Sequence, residues 1–167
     1  YILAKQIKQH NLKQHVEILE CCIQKGEYSV TWQRNTLLQN CDSKYAMFID
    51  IDGIVTADAI VTLVNKLEIF NPDVVQLTGT YTVNGMNPKT MDYSNKHKEF
   101  MEIKDVMMRP PTHLNAIATK HTKKFFFKEL PNQQEADRDW AMLLSQSGLL
   151  KEEADYASPY YLQQFLT

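Results

Sequence analysis

Apolar positions along the chain switch between a helical and a strand-like period, and the switches mark out the elements. Residues 2–12 carry Ile2, Leu3, Ile7 and Leu12 at rough helical spacing, which predicts an opening helix. Residues 16–23, VEILECCI, are short, mostly apolar and β-like, and Lys25-Gly26-Glu27 reads as a turn. A helix is expected over 31–40, with Leu37 and Leu38 inward. The apolar run 45–51, YAMFIDI, predicts a central buried strand. Thr56 is expected to cap a helix that carries Ile60, Leu63, Val64 and Leu67 and ends at Asn71-Pro72. A strand follows over 74–77 and continues through 81–83 to the turn signal Asn84-Gly85. Residues 87–98 are polar and read as a loop. Strands are expected over 100–108 and 114–119, separated by Arg109-Pro110-Pro111. An amphipathic helix over 135–149 places Ala136, Trp140, Leu143 and Leu144 on one face, and residues 156–165 form an aromatic, strand-like tail.

Alternating helices and strands in the first half argue for an α/β sandwich around a mostly parallel sheet. No repeat, low-complexity tract or linker divides the chain, so residues 1–167 are expected to form one domain. An α/β domain usually opens on a strand, and this one opens on a helical pattern. Its first strand is therefore expected to be lacking.

Composition narrows the function. With 44% hydrophobic and 23% charged residues, the chain is of globular type. A net charge of -2 gives no basic footprint, so a nucleic-acid partner is not expected. No run of about 18 apolar residues provides a transmembrane segment, and the opening YILAKQIKQH has no signal-like apolar stretch. Cys21, Cys22 and Cys41 are an odd count with an adjacent pair, a poor disulfide framework. They read as reduced thiols of a cytoplasmic protein. No Cys/His spacing suits zinc.

The sharpest chemical feature is FIDIDG, residues 48–53. In open α/β sheets ligands bind beyond the carboxyl ends of strands, where Asp50 and Asp52 are expected. Residues i and i+2 of a strand share a side, and two carboxylates there need a cation or a proton to offset their repulsion. Mg²⁺ or Mn²⁺ suits such oxygen ligands and commonly shares them with substrate phosphates. A solvated acidic turn is the bland alternative. The stretch 50–55, DIDGIV, also resembles the nucleophile loop of haloacid dehalogenase-like phosphatases, in which Asp50 is implied as the nucleophile and Asp52 as the acid/base.

Read whole, the chain resembles family 2 glycosyltransferases with the GT-A fold, most of all the compact phage and capsule types. Three stretches carry the resemblance: Arg34-Asn35-Thr36-Leu37-Leu38 followed by 44–52, KYAMFIDID, with its DXD pattern; 109–115, RPPTHLN; and 135–141, EADRDWA. It implies a GT-A sandwich around a mostly parallel mixed sheet and transfer of a sugar from a nucleotide-sugar, UDP-sugars favoured, to a hydroxyl on a glycan or other acceptor. It further implies Asp52 as the main ligand of Mn²⁺ or Mg²⁺, and Asp50 at the metal or ribose. Asp137 is implied as the general base of an inverting reaction, with His113 near the site and Arg34 toward the diphosphate. The plainer readings are an acid at a helix start for Asp137, a structural histidine for His113 and a solvated arginine for Arg34. Trp140 reads as core. A catalytically inactive GT-A binding module is the alternative from another class.

Overall fold

The computed structural model describes residues 2–21, 26–50, 53–156 and 161–165. Two mixed sheets share one core. The four-stranded sheet has the order β1-β8-β3-β9, built from Tyr45–Ala46, Ile117–Ala118, Val74–Val75 and Glu153–Ala154. The six-stranded sheet has the order β2-β10-β4-β5-β7-β6: Gly53–Val55, Tyr161–Phe165, Leu77–Val83, Met86–Tyr93, Val106–Arg109 and Met101–Ile103. The helices are α1 Ile2–Gln9, α2 Val30–Gln39, α3 Ala59–Phe70, the short α4 Thr119–Thr122 and α5 Gln133–Gln146. Among the described residues, no helix is long and apolar enough to cross a membrane.

Strand β3 shows how the layers form. Val74 and Val75 are both fully buried, and adjacent strand residues point to opposite faces. Val75 joins a core with Leu63 of α3, Leu77, Met91 and Tyr156. Val74 joins another with Phe127 and with Trp140, Ala141 and Leu144 of α5. Trp140 is 1% exposed, stacks on Phe127 at 4.6 Å and donates its indole N–H to the Phe125 carbonyl, so it is a core residue. Helices thus cover both faces of the small sheet, as continuous apolar strands require.

The structure corrects the expected sheet. β3–β9, β5–β7 and β4–β10 are parallel, but β1–β8, β3–β8, β2–β10, β4–β5 and β6–β7 are antiparallel. The sheets are mixed because much of the second half is made of hairpins, which join antiparallel strands without a crossover. The expected loop over 87–98 is mostly β5. Asn84 and Gly85 adopt φ of 50° and 74°, the left-handed turn that closes the β4–β5 hairpin. The single strand expected over 100–108 is also a hairpin, turned at Lys104 with φ 55°. Residues 16–21 belong to no strand ladder, and 22–25 lie outside the described residues. Cys21 and Cys41 are unpaired. Helix α3 starts after Asp58 rather than Thr56, whose carbonyl accepts the Ala59 N–H.

Asp73 staples three elements together. Its carboxylate accepts from His121 at 2.8 Å and Lys120 at 3.0 Å, and from the backbone N–H groups of Lys151 and Glu152. Burial opposes its ionisation, but those hydrogen bonds outweigh burial and hold its carboxyl well below the usual range. A lowered folded pKa gives stability that is present above the unfolded value and lost as pH falls through the folded one. Chemical denaturation of Asp73→Asn is therefore expected to show a loss of about 2 kcal/mol at neutral pH. The gap to the parent chain should narrow in acid. At Gly79 the limit is space, since an added Cβ would stand 2.3 Å from the Tyr161 carbonyl oxygen of the neighbouring strand. Gly79→Ala should force β4 and β10 apart and lower the melting temperature by several degrees, read by circular dichroism.

Candidate functional site

Three elements deliver charged side chains to one point. The first is α2, capped by Ser29, whose hydroxyl accepts the Trp32 N–H. Its inward positions are Thr31, Arg34 and Leu38, at the spacing of one helical face. Arg34 is consequently buried, with its guanidinium 5.7 Å from the centre of the Phe127 ring. The second is the run that leaves β1: Phe48 donates its N–H to the His113 carbonyl at 3.0 Å, and Asp50 ends the described stretch. The third is α5, capped by Asn132, whose side chain accepts the Gln134 N–H. The helix starts two residues earlier than its apolar pattern suggests. Asp137 therefore lies in the second turn, and Glu135 is the acid of the first.

The loop 110–116 brings in His113. Every residue of this loop is buried. Asn115 is fully buried; its side-chain oxygen accepts the Thr112 N–H, and its amide donates to the carbonyls of Val75 and Tyr93, each at 3.0 Å. One side chain thus ties the loop to both sheets. A buried amide that meets its hydrogen bonds this way holds the loop in one conformation. The His113 ring meets Phe48 and Phe127 edge-on at 6.1 and 6.2 Å.

Arg34 is the centre of the cluster. One guanidinium nitrogen donates to Asp50 Oδ1 at 2.9 Å and the other donates to Asp137 Oδ1. His113 Nε2 lies 3.4 Å from Asp50 Oδ2, and its Nδ1 lies 4.0 Å from Asp137 Oδ1. Gln133 adds a further donor to Asp137 Oδ1 at 2.9 Å. Burial works against the charge on Asp50, yet the hydrogen bond and charge of His113, together with Arg34, bring its pKa down to about 2. Asp50 is therefore ionised at neutral pH. Asp137 Oδ2 has no protein partner among the described residues, so one oxygen is pinned and the other is available for chemistry.

The sequence had singled out Arg34, Asp50, His113 and Asp137, and the structure brings these four together. Asp52 lies outside the described residues. Asp139, two residues along α5 from Asp137, turns away and pairs with Lys128 at 3.1 Å. Arg34 is buried between two acids rather than solvated on its helix. Gln133 was missed, and Asn115 was singled out only as part of the 109–115 stretch, with no role. Gln133 was legible only through its i,i+4 spacing to Asp137, once α5 is known to begin there. Asn115 gives no local signal, because both its carbonyl partners are distant in sequence. Among the described residues, no group of three or more His, Cys, Asp or Glu side chains is arranged to hold a metal ion. Both oxygens of Asp50 already face Arg34 and His113.

Replacing Arg34 by Met leaves two partly buried carboxylates without their shared cation, at an expected cost of about 3 kcal/mol. Asp50→Asn in the same chain should recover part of that loss. A double-mutant cycle by chemical denaturation reads the coupling, and strictly additive losses would contradict the bridge.

No protein-family model and no curated protein matches the chain. Among solved structures, the fold is similar to that of TarS residues 1–349 from S. aureus. The structure in complex with UDP-GlcNAc superposes with a TM-score of 0.54 at 13% identity, over 98% of this chain and 46% of that one. A second TarS 1–349 structure gives 0.56 at 13% identity, over 96% and 47%. The chain spans about half the length of the structures it matches, and at this identity what the two proteins share is the fold.

Proposed function

We propose that this chain is a GT-A-type glycosyltransferase domain, one that takes a nucleotide-sugar, UDP-sugars favoured, and passes the sugar to a hydroxyl acceptor with inversion. The observation that carries the reading is Asp137. Its Oδ1 is pinned by Arg34 and Gln133, and its Oδ2 has no protein partner among the described residues, beside the end of the run from β1. Support comes from the fold shared with a protein whose structure holds UDP-GlcNAc, and from the three stretches that resemble family 2 members.

In this reading Asp137 Oδ2 takes the proton of the acceptor hydroxyl as that oxygen attacks the anomeric carbon. The new carbon–oxygen bond forms on the face opposite the diphosphate. The old bond breaks, and the nucleoside diphosphate leaves with the electron pair. A hydroxyl is a poor nucleophile at neutral pH, and a positioned carboxylate base contributes roughly 10²–10⁴-fold. Arg34 and Gln133 orient that base. Asp50 holds Arg34 in turn, and His113 lies against Asp50. A requirement for Mn²⁺ or Mg²⁺ rests on Asp52, with the diphosphate as the natural co-ligand. Asp50 is given a positioning role, because its oxygens are already engaged.

Thermal unfolding with UDP, with and without Mn²⁺, tests the reading on the parent chain, Asp52→Asn and Asp137→Asn. A ligand that binds only the folded state adds about 2.7 kcal/mol of stability at a hundred times its dissociation constant. The expected result is a UDP shift that needs Mn²⁺, is lost in Asp52→Asn and persists in Asp137→Asn. Release of UDP from a UDP-sugar should fall about 10²–10⁴-fold in Asp137→Asn. Absence of a shift with any nucleoside diphosphate, or undiminished release in Asp137→Asn, would sink the proposal.

A further inference from the structure

Two arginines outside the Arg34 cluster share one aromatic ring. Arg109, at the end of β7, and Arg138, on α5, each hold a guanidinium 5.3 Å from the centre of the Phe100 ring. The two cations therefore stand no farther apart than twice that distance, near enough for part of their repulsion to survive salt screening. Arg109 is half-buried, and its guanidinium also lies 5.1 Å from the ring of Tyr93, its register partner on β5. Phe100 is held as well. It packs against the core beneath α5, and the loop that carries it is tied down where Glu153 accepts the Ser94 hydroxyl at 2.6 Å and the Asn95 N–H at 2.5 Å. No acid answers the two charges. Among the described residues, Asp137 pairs with Arg34, Asp139 with Lys128, and Asp92 with Gln76 and His97. Glu99 and Glu135 are exposed and form an ion pair with neither arginine. Tyr93 supplies no counter-charge, since burial pushes its phenol up to about 12 although Arg109 pulls it the other way.

Two positioned cations without a counter-ion suit an anion. The ring faces hold the guanidinium planes and leave their N–H edges able to donate. We propose that Arg109 and Arg138 bind a phosphate group carried by the acceptor. Phosphate suits the pair better than a carboxylate does, because its tetrahedral oxygens can face two separate forks, whereas one fork satisfies a carboxylate. The place of the pair points to the acceptor. Arg138 follows Asp137 in α5, about 100° round the helix. Asp137 accordingly faces Arg34, which reaches on to Asp50, while Arg138 faces Phe100. Arg109 leads directly into the loop that carries His113. The two elements that deliver the base and His113 thus also set the arginines, on a different face of α5 from Asp50. The phosphate site follows from the arginines alone; its assignment to the acceptor rests on the transferase reading, in which the reacting hydroxyl meets Asp137 Oδ2. A phosphate held there would bring a neighbouring hydroxyl of the same molecule to the base. The arginines would select charged acceptors over neutral ones without entering the chemistry.

The test titrates the 167-residue chain with glucose 6-phosphate, inorganic phosphate and glucose at constant ionic strength, and follows the arginine Nε–Hε signals by NMR. Saturable shifts at Arg109 and Arg138 are expected with both phosphates and not with glucose. Arg138 is exposed, so Arg138→Met should fold as the parent does, and it should weaken glucose 6-phosphate binding roughly tenfold or more. Arg109→Lys keeps the charge but loses the fork, and it should weaken binding too. Saturating UDP with Mn²⁺ should leave the titration unchanged. Equal shifts with chloride, or unaltered affinity in Arg138→Met, would overturn the site. Displacement of glucose 6-phosphate by UDP would hand the arginines to the donor and overturn the acceptor assignment. Binding of inorganic phosphate without glucose 6-phosphate would overturn it as well, leaving a site for the free ion. Should UDP fail to bind while both phosphates do, the transferase reading falls and takes the acceptor assignment with it, and the arginines remain a phosphate site.

Discussion

One guanidinium holds the site together. Arg34 lies where α2, the run leaving β1 and α5 meet, and it pairs with one acid from each of the last two. Two carboxylates brought this close inside a protein repel each other and lose hydration. Without a shared cation, one of them would take up a proton or the elements would move apart. The planar fork of arginine can donate to both acids at once, which a lysine ammonium on a flexible stem does less well. The same contact neutralises Asp50, pins one oxygen of Asp137 and ties α2 directly to α5.

That arrangement depends on a rigid surround. Asn115 ties the 110–116 loop to the carbonyls of Val75 and Tyr93, and so to both sheets. The loop then delivers His113 between Phe48 and Phe127. On the far side, Asp73 gathers α4 and the approach to β9 onto the start of β3. Polar side chains rather than strand ladders make these joints, because the strands of the small sheet are only two residues long. Short ladders supply few backbone hydrogen bonds, and buried side-chain networks supply the rest.

An apolar groove of about 580 Å³ beside β1 belongs to the same logic. The edge that faces β8 is paired, and among the described residues the N–H groups of Met47 and Ile49 on the edge that faces the groove have no backbone partner.

The sequence by itself determined the elements whose signals are local. Helix α3 and the core face of α5 follow from apolar spacing, the β4–β5 turn follows from Asn84-Gly85, Asp50 and Asp52 follow from their place after an apolar run, and Asp137 was singled out by resemblance alone. The expected mixed sheet is there but is not mostly parallel, because short apolar stretches carry no information on strand direction or pairing partner. The loop expected over 87–98 failed for a related reason. β5 is polar where its residues are exposed, and polarity alone does not distinguish a solvated strand from a loop. Only the tertiary structure decided that Arg34, Asp50, His113 and Asp137 share one site, since they are brought together across up to 103 residues of chain. Burial made the difference: charges that would be independent in water become partners when four elements exclude it.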